Sequence, residues 1–479
     1  MERRTKIVAT IGPASGDAYM IERLIKAGVN VFRLNFSHGT HTDHATRIAL
    51  IRQASQDLKQ PVCIMQDLQG PKIRIGEIQA DAVTLVQGQS FTLQTQPIIG
   101  NEHVASVDFI DLPNCVCPGG RILIDDGNLE LSVVSIEDDH VDTKIIQGGL
   151  LKSHKGVNLP GAKLNISSFT EKDKIDLAFG LEQRVDALAL SFVRTPGDIL
   201  RIRNAISHMA PDRKSTPIIA KLERPEALDN LHEIINVADG VMVARGDLGV
   251  EMNPEFVPIA QKQIIEAANQ HGKIVITATQ MLDSMIINPR PTRAEASDVA
   301  NAILDGTDAV MLSGETAAGK YPIQAVEMMN AIACQTETHM AHWGHCVNPV
   351  TNHSTQDDTF FMTLAARELA HDRNVAAIAV FTKSGRSALL MSKARPDVQI
   401  LAFTPEEDTF HRINLFWGVK PHLVPQVSTI DDMLTVVETA MIASTPIQPG
   451  QQVVVICGFP VHAVRPTNMA ILHTVEEHY

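Results

Sequence analysis

The sequence predicts an α/β protein built on a (β/α)8 barrel, and three observations support this prediction. Eight short apolar runs alternate with stretches whose apolar residues recur every three to four positions. Polar or charged residues follow most of these runs directly, as expected where parallel strands leave a packed core. The third unit is interrupted by a segment with a different, alternating pattern. We therefore expect a barrel, an inserted domain and a separate C-terminal domain.

The predicted barrel strands are rich in β-branched and other apolar residues. They span residues 7–11, 31–36, 62–66, 187–192, 218–222, 241–244, 274–278 and 309–312. Amphipathic stretches between them predict helices at 19–27, 174–182, 227–237, 257–269 and 293–304. The catalytic barrel domain is expected to comprise residues 1–69 and 161–345, with its active site at the C-terminal ends of the strands.

Residues 70–160 form short alternating runs of Val, Thr and Leu. Turn signals occur at Gly88, at Pro118-Gly119-Gly120 and at Asp126-Gly127-Asn128. The segment is predicted to be a small β-barrel, inserted after the third strand as a lid over the site.

Residues 355–479 are predicted to form a C-terminal α/β effector domain with a mostly parallel sheet. Strand-like runs at 375–381, 398–403 and 453–457 alternate with helix-like stretches at 359–371, 386–393 and 430–442. The preceding segment contains His339, His342, His345, Cys346 and His353, whose spacing is compatible with zinc. Because no second ligand pair is near and the segment is rich in Asn, Pro and Thr, we interpret it as a solvated linker.

Composition excludes several classes of protein. The 479 residues carry a net charge of −14, which argues against general affinity for nucleic acid or an anionic membrane. The sequence has no signal-peptide core and no apolar run approaching 18 residues, so a cytoplasmic protein is expected. The six cysteines are scattered, which predicts reduced thiols without a disulfide framework.

A lysine and two carboxylates follow two neighbouring strands. Lys221 and Glu223 lie at the end of the fifth apolar run, and Asp247 follows the sixth. Carboxylate oxygens suit Mg²⁺, which prefers few carboxylates together with waters and phosphate oxygens. Lys221 would act beside them as a point charge for a phosphoryl group. For any one of these residues alone, an ordinary salt bridge is the alternative.

The other strand ends add a ring of polar residues. It comprises Gly12, Pro13, Arg33, Asn35, Ser37, His38, Asp67, Arg245, Thr279, Gln280, Ser313, Gly314 and Glu315. Two arginines, a lysine and a pair of metal-binding carboxylates suit in-line phosphoryl transfer. Catalysis of this reaction consists largely of positioning and charge neutralisation. A Walker-type loop is absent from the sequence, so the nucleotide must be bound in another way.

Seven motifs carry a family resemblance. They are Thr10-Ile11-Gly12-Pro13-Ala14-Ser15, Arg33-Leu34-Asn35-Phe36-Ser37-His38-Gly39, Lys155-Gly156-Val157-Asn158, Lys221-Leu222-Glu223, Met242-Val243-Ala244-Arg245-Gly246-Asp247-Leu248-Gly249, Ala278-Thr279-Gln280-Met281-Leu282 and Leu312-Ser313-Gly314-Glu315-Thr316-Ala317. These motifs resemble those of the pyruvate kinases, and the resemblance extends over nearly the whole chain. It implies phosphoryl transfer from phosphoenolpyruvate to ADP, giving pyruvate and ATP at the last step of glycolysis.

The resemblance also implies roles for individual residues. Glu223 and Asp247 would hold Mg²⁺, for which Mn²⁺ can substitute, and Arg33 would bind the phosphate. Lys221 would neutralise the transferring group and the enolate. The amides of Gly246 and Asp247 and the Thr279 hydroxyl would orient the substrate carboxylate, and Thr279 and Ser313 would relay the proton to the enolate. Nucleotide contacts would come from Pro13, Asn35, His38, Arg74 at the root of the lid and Lys155 at its far edge.

The monovalent-cation site of the family is altered here. Relatives have Thr and Lys after the aspartate and Glu three residues further on, whereas Asp67 is followed by Leu68-Gln69-Gly70-Pro71-Lys72. The matching cation ligands would be Asn35, Ser37, Asp67 and the Leu68 carbonyl. The Lys72 ammonium would replace K⁺, so K⁺ is not required. The alternative is that Lys72 points into solvent at the lid hinge.

The effector domain retains a phosphate-loop pattern in Thr382-Lys383-Ser384-Gly385-Arg386-Ser387, at a predicted strand-to-helix turn. The glycine-rich loop that helps many relatives to hold a second phosphate is altered at residues 458–466. A sugar monophosphate or AMP is therefore a better candidate activator than a bisphosphate.

Two other functions remain open at this stage. A metal-dependent lyase of the same barrel type would also use a Glu and Asp pair, but would not need Arg74, Lys155 or the lid. A catalytically silent metabolite-binding protein would have no reason to keep Arg33, Lys221 and Thr279. A homotetramer is what the family resemblance implies.

Overall fold

The computed structural model describes residues 3–162, 166–340 and 357–476. Its centre is a closed barrel of eight parallel strands that neighbour one another in chain order, and the last strand pairs with the first. This confirms the predicted fold. The barrel strands are Lys6–Thr10, Val31–Asn35, Cys63–Asp67, Ala187–Leu190, Ile218–Leu222, Gly240–Ala244, Ile274–Ala278 and Ala309–Leu312.

Helices surround the barrel and bury their apolar faces against the strands. Several begin at a capping box, in which Thr40, Thr170 or Thr292 exchanges hydrogen bonds with the acidic residue three positions later. The longer helices around the barrel are Ala18–Ala27, His41–Leu58, Glu171–Glu182, Pro196–Met209, Val257–Gln270, Arg293–Asp305 and Pro322–Thr338. Short helices at Arg245–Glu251 and Gly314–Ala317 begin directly after the sixth and eighth strands.

The single helix predicted at 227–237 is wrong in detail, because the chain forms two helices, Pro225–Asp229 and Leu231–Val237. Asn230 separates them with φ −107° and ψ 21°. Its side-chain amide donates to the carbonyls of Arg194 and Glu226, so a local side-chain bond replaces the continuing helix.

The inserted segment forms a strongly curved sheet around its own core. Two edge strands meet only at an antiparallel bridge between Ile75 and Val107, so one bridge rather than a full ladder joins the edges. In sheet order the strands are Ile73–Arg74, Gly156–Asn158, Arg121–Ile124, Leu129–Glu137, His140–Gln147, Ser90–Gln94 and Val104–Ser106. Gly149–Lys152 and Ala82–Leu85 form a separate two-stranded sheet, and a short helix spans Leu112–Cys115.

The C-terminal domain has a five-stranded sheet in which four strands are parallel and the last is antiparallel, as predicted. In sheet order the strands are Val419–Leu423, Gln399–Thr404, Ala377–Phe381, Gln452–Cys457 and Met469–Thr474. The helices are Asp358–Arg373, Arg386–Lys393, Glu407–Arg412 and Ile430–Ser444.

The C-terminal domain packs against the N-terminal ends of the barrel strands. Buried apolar residues of the barrel interior and of the C-terminal sheet form one continuous cluster. Lys6 Nζ donates to the Val419 carbonyl at 2.7 Å. Asp308, just before the eighth strand, forms ion pairs with Lys393 and Arg395, and the Asp308 and Lys393 side chains are each 1% exposed. Charged groups therefore join the two domains across an otherwise apolar interface.

No helix among the described residues is long and apolar enough to cross a membrane. Cys63, Cys115, Cys117, Cys334 and Cys457 are free thiols. Of the histidine-rich linker, His342, His345, Cys346 and His353 lie outside the described residues, and His339 is exposed.

Candidate active site

Asp67 is the centre of the charge network at the C-terminal ends of the barrel strands. Arg33 Nε donates to Asp67 Oδ2 at 2.6 Å, and Lys221 Nζ lies 3.2 Å from Asp67 Oδ1. Arg33 is oriented further by a 3.0 Å hydrogen bond to Thr10 Oγ1. The second, third and fifth strands thus bring the predicted phosphate-binding cations onto one buried carboxylate.

Glu223 is held by two contacts at the end of the fifth strand. Its Oε1 atom lies 2.8 Å from Lys221 Nζ, and its Oε2 atom accepts a 2.7 Å hydrogen bond from the Phe192 backbone amide. Phe192 adopts a left-handed backbone with φ +55° at the point where its N–H donates to the carboxylate. A loop after the fourth strand therefore contributes to the position of Glu223.

The charges in this network influence one another strongly. Burial alone would raise the pKa of Asp67, but Lys221 and Arg33 outweigh it and hold that pKa below its usual range. Burial opposes the charged form of Lys221, yet Asp67 and Glu223 raise its pKa overall. Burial also raises the pKa of Glu223, and repulsion from Asp247 adds to this effect. Lys221 is therefore firmly cationic, and Asp247 disfavours the charged form of Glu223.

Glu223 and Asp247 fit a site for a divalent cation. Asp247 lines the cleft between lid and barrel, and it is close enough to Glu223 to raise the pKa of that group by repulsion. A divalent cation between them would remove this repulsion. Two carboxylates with room for substrate oxygens match the preference of Mg²⁺. Among the described residues no group of three or more His, Cys, Asp or Glu is arranged to hold a metal.

Thr279 follows the seventh strand and faces the start of the helix Arg245–Glu251. Its Oγ1 atom accepts a 2.7 Å hydrogen bond from the Gly246 amide and donates to the Ala278 carbonyl. Thr279 and Gln280 both have positive φ values, +65° and +53°. Two of the predicted donors to a substrate carboxylate are thus bonded to each other.

Arg245 does not join the phosphate-binding cations, contrary to its place in the predicted ring. Its guanidinium forms an ion pair with Asp298 at 2.5 Å and donates to the Thr279 and Gln280 carbonyls at 2.8 and 3.1 Å. The sequence places it at a strand end but does not reveal that its side chain turns toward the neighbouring loop and helix.

Ser313 follows the eighth strand, and its hydroxyl is buried. Ser313 Oγ has no hydrogen-bond partner among the described residues, which leaves it available for a water molecule. Its amide donates to Glu315, and Glu315 also accepts from the Leu282 amide at 3.0 Å. Glu315 therefore connects the loops after the seventh and eighth strands.

Arg74 and Lys155 lie at the same end of the lid, although they were predicted at its root and its far edge. Arg74 pairs with Gly156 in the curved sheet, next to Lys155. Arg74 donates to the His154 carbonyl at 3.0 Å, and Lys155 pairs with Asp125 at 2.6 Å. Strand pairing between the two ends of the insertion brings them together, which sequence separation conceals.

The remaining residues predicted to contact nucleotide lie on the second-strand side of the barrel rim. Pro13 and His38 are exposed, and Asn35 is half-buried and accepts from the Ser37 amide. Partial burial lowers the pKa of His38, with additional effects from the nearby cations Arg74, Lys72 and Arg33. Arg74 and Lys72 therefore lie near this part of the rim.

Lys72 lines the cleft between lid and barrel and is half-buried. A Cβ atom on Gly156 would lie 3.1 Å from Lys72 Cε, so the lysine stem passes directly over that glycine. Asp67 is paired with Arg33 and Lys221 rather than with Lys72. The Leu68 carbonyl accepts from Ser191 Oγ at 2.7 Å.

The predicted effector loop lines a cavity of about 550 Å³ in the C-terminal domain. Gly385, with φ +82°, precedes the helix Arg386–Lys393. Arg386 pairs with Asp357 at 2.5 Å, and Lys383 donates to the His462 carbonyl at 2.7 Å. Thr382, Ser384 and Ser387 also line the cavity, opposite the altered loop with Gly458, Val461 and residues 463–466.

Ser191 is a site residue that the sequence analysis missed. Lys221 Nζ donates to Ser191 Oγ at 2.7 Å, and the Ser191 hydroxyl reaches the Leu68 carbonyl. The sequence could have identified it, because Ser191 is a polar residue that directly follows the fourth strand. The predicted strand extended to residue 192 and so hid this polar residue within it.

Comparisons with known proteins match both the barrel and the C-terminal domain. Residues 2–326 match the family model described as pyruvate kinase, barrel domain, and residues 362–473 match pyruvate kinase, alpha/beta domain. The chain is similar to pyruvate kinase of Geobacillus stearothermophilus, with 44% identity over all of this chain and 81% of the relative. It is 50% identical to pyruvate kinase 2 of Synechocystis over 88% of this chain and 71% of the relative. It is 41% identical to pyruvate kinase of Clostridium acetobutylicum over 99% of this chain and the whole relative.

Proposed function

Because the chain belongs to the pyruvate kinase family, we propose that its barrel site transfers the phosphoryl group of phosphoenolpyruvate to ADP. The bond between phosphorus and the enol oxygen breaks, and a bond from phosphorus to a β-phosphate oxygen of ADP forms. The enolate left behind takes one proton at carbon, which gives pyruvate beside ATP.

Arg33 and Lys221 bind the transferring phosphoryl group in this proposal. They already share Asp67, and Arg33 is also bonded to Thr10, so both cations are held in place before substrate arrives. Preorganised cations stabilise a transition state without a cost of reorientation. Lys221 also neutralises the negative charge that develops on the enolate.

Glu223 and Asp247 are the proposed ligands of Mg²⁺, the cation that the pyruvate kinase family uses. The bound cation would neutralise charge on the phosphoryl and enolate oxygens. Repulsion between the two carboxylates supports this assignment, because it is relieved when a cation binds. Mn²⁺ is expected to substitute, since it accepts similar oxygen ligands.

The amides of Gly246 and Asp247 and the Thr279 hydroxyl are proposed to bind the substrate carboxylate. In the structure the Gly246 amide donates to Thr279 Oγ1, so carboxylate binding would exchange this bond for two bonds to the ligand. The Ser313 hydroxyl is buried and has no hydrogen-bond partner within the described part of the chain, which supports a relay with Thr279 through water for the final protonation.

ADP is proposed to bind between the barrel rim and the lid, through Pro13, Asn35, His38, Arg74 and Lys155. Burial lowers the pKa of His38 and the Arg74 charge adds to this effect, which supports a site formed by both domains. Pairing of Arg74 with Gly156 brings Arg74 next to Lys155, so the two lid cations can act together.

We propose that the enzyme works without K⁺. Lys72 is half-buried in the cleft rather than directed into bulk solvent, and its single positive charge is proposed to take the place of the ion. The residues matching the cation ligands are Asn35, Ser37, Asp67 and the Leu68 carbonyl. Placing K⁺ beside a lysine in a partly desolvated cleft would bring like charges together.

An allosteric activator with one phosphate is proposed for the cavity formed by Thr382, Lys383, Ser384, Gly385, Arg386 and Ser387. The cavity volume of about 550 Å³ suits a sugar monophosphate or AMP. Asp357 already pairs with Arg386, so the phosphate would have to displace this carboxylate. The altered loop at residues 458–466 lacks the glycine-rich sequence that would bind a second phosphate.

For the whole protein we propose a cytoplasmic homotetramer, as the family implies. Its domains would be a catalytic barrel of residues 1–69 and 161–345, a lid of residues 70–160 and an effector domain of residues 355–479. Residues 1–2, 163–165, 341–345, 355–356 and 477–479 of these ranges lie outside the described residues.

The observation that carries the proposed function is the buried network of Arg33, Asp67, Lys221 and Glu223. A coupled assay for ATP formation from ADP and phosphoenolpyruvate tests it. Release of pyruvate without ATP would favour the lyase alternative, and binding without turnover would favour a silent sensor.

A further inference from the structure

Thr279 and Gln280 form a turn that is unfavourable for residues other than glycine. Both have left-handed backbones, with φ +65° and +53°. A β-branched residue such as threonine is particularly disfavoured in this region. Such a turn persists only where surrounding groups hold it in place.

The Arg245 side chain binds every carbonyl of this turn. Its Nε atom donates to the Ala278 and Thr279 carbonyls at 3.3 and 3.2 Å. A terminal nitrogen donates to the Thr279 carbonyl at 2.8 Å and to the Gln280 carbonyl at 3.1 Å. The planar guanidinium thus spans three consecutive peptide units, which a lysine ammonium cannot do with the same geometry.

Two helices fix the orientation of the guanidinium. Asp298, on the helix Arg293–Asp305, pairs with Arg245 at 2.5 Å, and Gln261, on the helix Val257–Gln270, accepts a weaker bond at 3.4 Å. The Arg245 side chain is 10% exposed. Because the arginine is anchored on rigid elements, it can impose its geometry on the turn.

We propose that Arg245 is a positioning residue that sets the Thr279 hydroxyl for the substrate carboxylate. The arginine side chain holds the backbone of the turn, and the amide of the next residue, Gly246, donates to the Thr279 hydroxyl at 2.7 Å until a substrate carboxylate replaces this bond. The inference rests on the proposed role of Thr279. It explains why this charged strand-end residue faces away from the phosphate-binding cations.

Arg245→Lys keeps the positive charge but loses the planar, forked set of N–H donors that spans the three carbonyls. We expect kcat/KM for phosphoenolpyruvate to fall about 10- to 100-fold, since small displacements of positioning groups have effects of this size. KM for ADP should change by less than about twofold, because the turn does not touch the nucleotide residues.

Arg52→Lys is the matched control. Arg52 also binds an aspartate, Asp186, together with the carbonyls of Val62 and Arg184, but at the opposite ends of the barrel strands. This variant should lose comparable stability, measured as Tm, while kcat/KM stays within about twofold of wild type.

A second substitution separates positioning of the turn from a general structural role. Glycine adopts positive φ without steric cost, so Gln280→Gly in the Arg245→Lys background should restore the preferred turn. We expect it to recover kcat/KM by at least about threefold, and because relief of backbone strain also affects general stability, the recovery is compared with the change in Tm. Absence of any recovery would overturn the positioning role, as would an Arg245→Lys variant no more impaired than Arg52→Lys.

Thr279→Val distinguishes failure of this inference from failure of the proposed function. Near-normal kcat/KM in Thr279→Val would remove the role of the hydroxyl and the inference with it. Impairment of Thr279→Val with a normal Arg245→Lys would overturn the inference alone. If Arg245→Lys does not fold, Asp298→Asn tests the same anchor, and unchanged kcat/KM in that variant would likewise contradict the proposal.

Discussion

The Lys221 ammonium lies 2.8 Å from the Glu223 carboxylate, with both side chains almost fully buried at the barrel rim. Lys221 lies in the fifth strand and Glu223 directly follows it, so one residue separates them and both point toward the barrel's binding face. One is the proposed phosphoryl-group cation and the other a proposed metal ligand. Their contact joins the two charge systems that the reaction requires.

Lys221→Met is expected to lower kcat by at least about 100-fold, the size of loss seen when one preorganised charge donor is removed. The fold should persist, because methionine fills similar space. Steady-state assays with circular dichroism test this. Lys6→Met is the control, since Lys6 is a buried lysine at the opposite end of the first barrel strand and should retain turnover. Near-normal turnover in Lys221→Met would refute the assignment.

The unmodified enzyme is expected to reach near-full activity with Mg²⁺ in buffer free of Na⁺ and K⁺. Lys72→Glu should create dependence on K⁺, because it replaces the cleft cation with a carboxylate that a monovalent ion can neutralise. Activity is measured at constant ionic strength, maintained with a tetraalkylammonium salt. Strong activation of the unmodified enzyme by K⁺ would contradict the proposal.

Arg386→Ala is expected to abolish activation by a phosphorylated metabolite without changing turnover at saturating substrate, because the effector cavity is remote from the barrel rim. Activation curves with sugar monophosphates and with AMP provide the measurement. Arg373→Ala is the control, since Arg373 is an exposed arginine at the other end of a neighbouring helix. Survival of activation by every such compound would exclude this site.

Asp357→Asn should shift activation to lower effector concentrations. The Asp357 carboxylate pairs with Arg386, and an amide would compete less well with a phosphate for the guanidinium. The same activation curves test this, and an unchanged or weaker response would show that Asp357 does not compete with the ligand.

Because of Lys6, we expect the free energy of unfolding to increase as the pH rises above 7. Burial, reinforced by Arg3 and Lys420, lowers the pKa of Lys6 from 10.5 to about 7. Between these values the unfolded chain binds the additional proton, so the free energy of unfolding rises by up to about 1.4 kcal/mol per pH unit. The Tm of the wild type minus that of Lys6→Met should therefore increase from pH 7.5 to 9.5. A constant difference between wild type and Lys6→Met over this pH range would refute the pKa argument.

The barrel was predictable because its strands are buried on both faces and appear in the sequence as continuous apolar runs. The strand Val419–Leu423 was not found, since Lys420, Pro421 and His422 interrupt any such run. It lies at the edge of the C-terminal sheet, where proline is tolerated. The bridge between Ile75 and Val107 depends on pairing between distant residues, which local patterns do not contain.

At the site, the sequence identified residues by their position after strands but not the direction of their side chains. Lys221, Glu223, Arg33 and Asp67 converge as that rule requires. Arg245 obeys the same rule yet turns toward a neighbouring loop, because Asp298 on a later helix attracts it. Partners supplied by distant elements decide such orientations.

Because of Asp308, the barrel and the C-terminal domain cannot be expressed or exchanged independently of each other. Besides its ion pairs with Lys393 and Arg395, it accepts from the Val275 amide and so belongs to the barrel's own bonding. A barrel expressed without its partner domain would hold a carboxylate deprived of both counter-charges, which is costly once buried. Domain exchange between relatives would succeed only where the incoming domain presents two cations at matching positions.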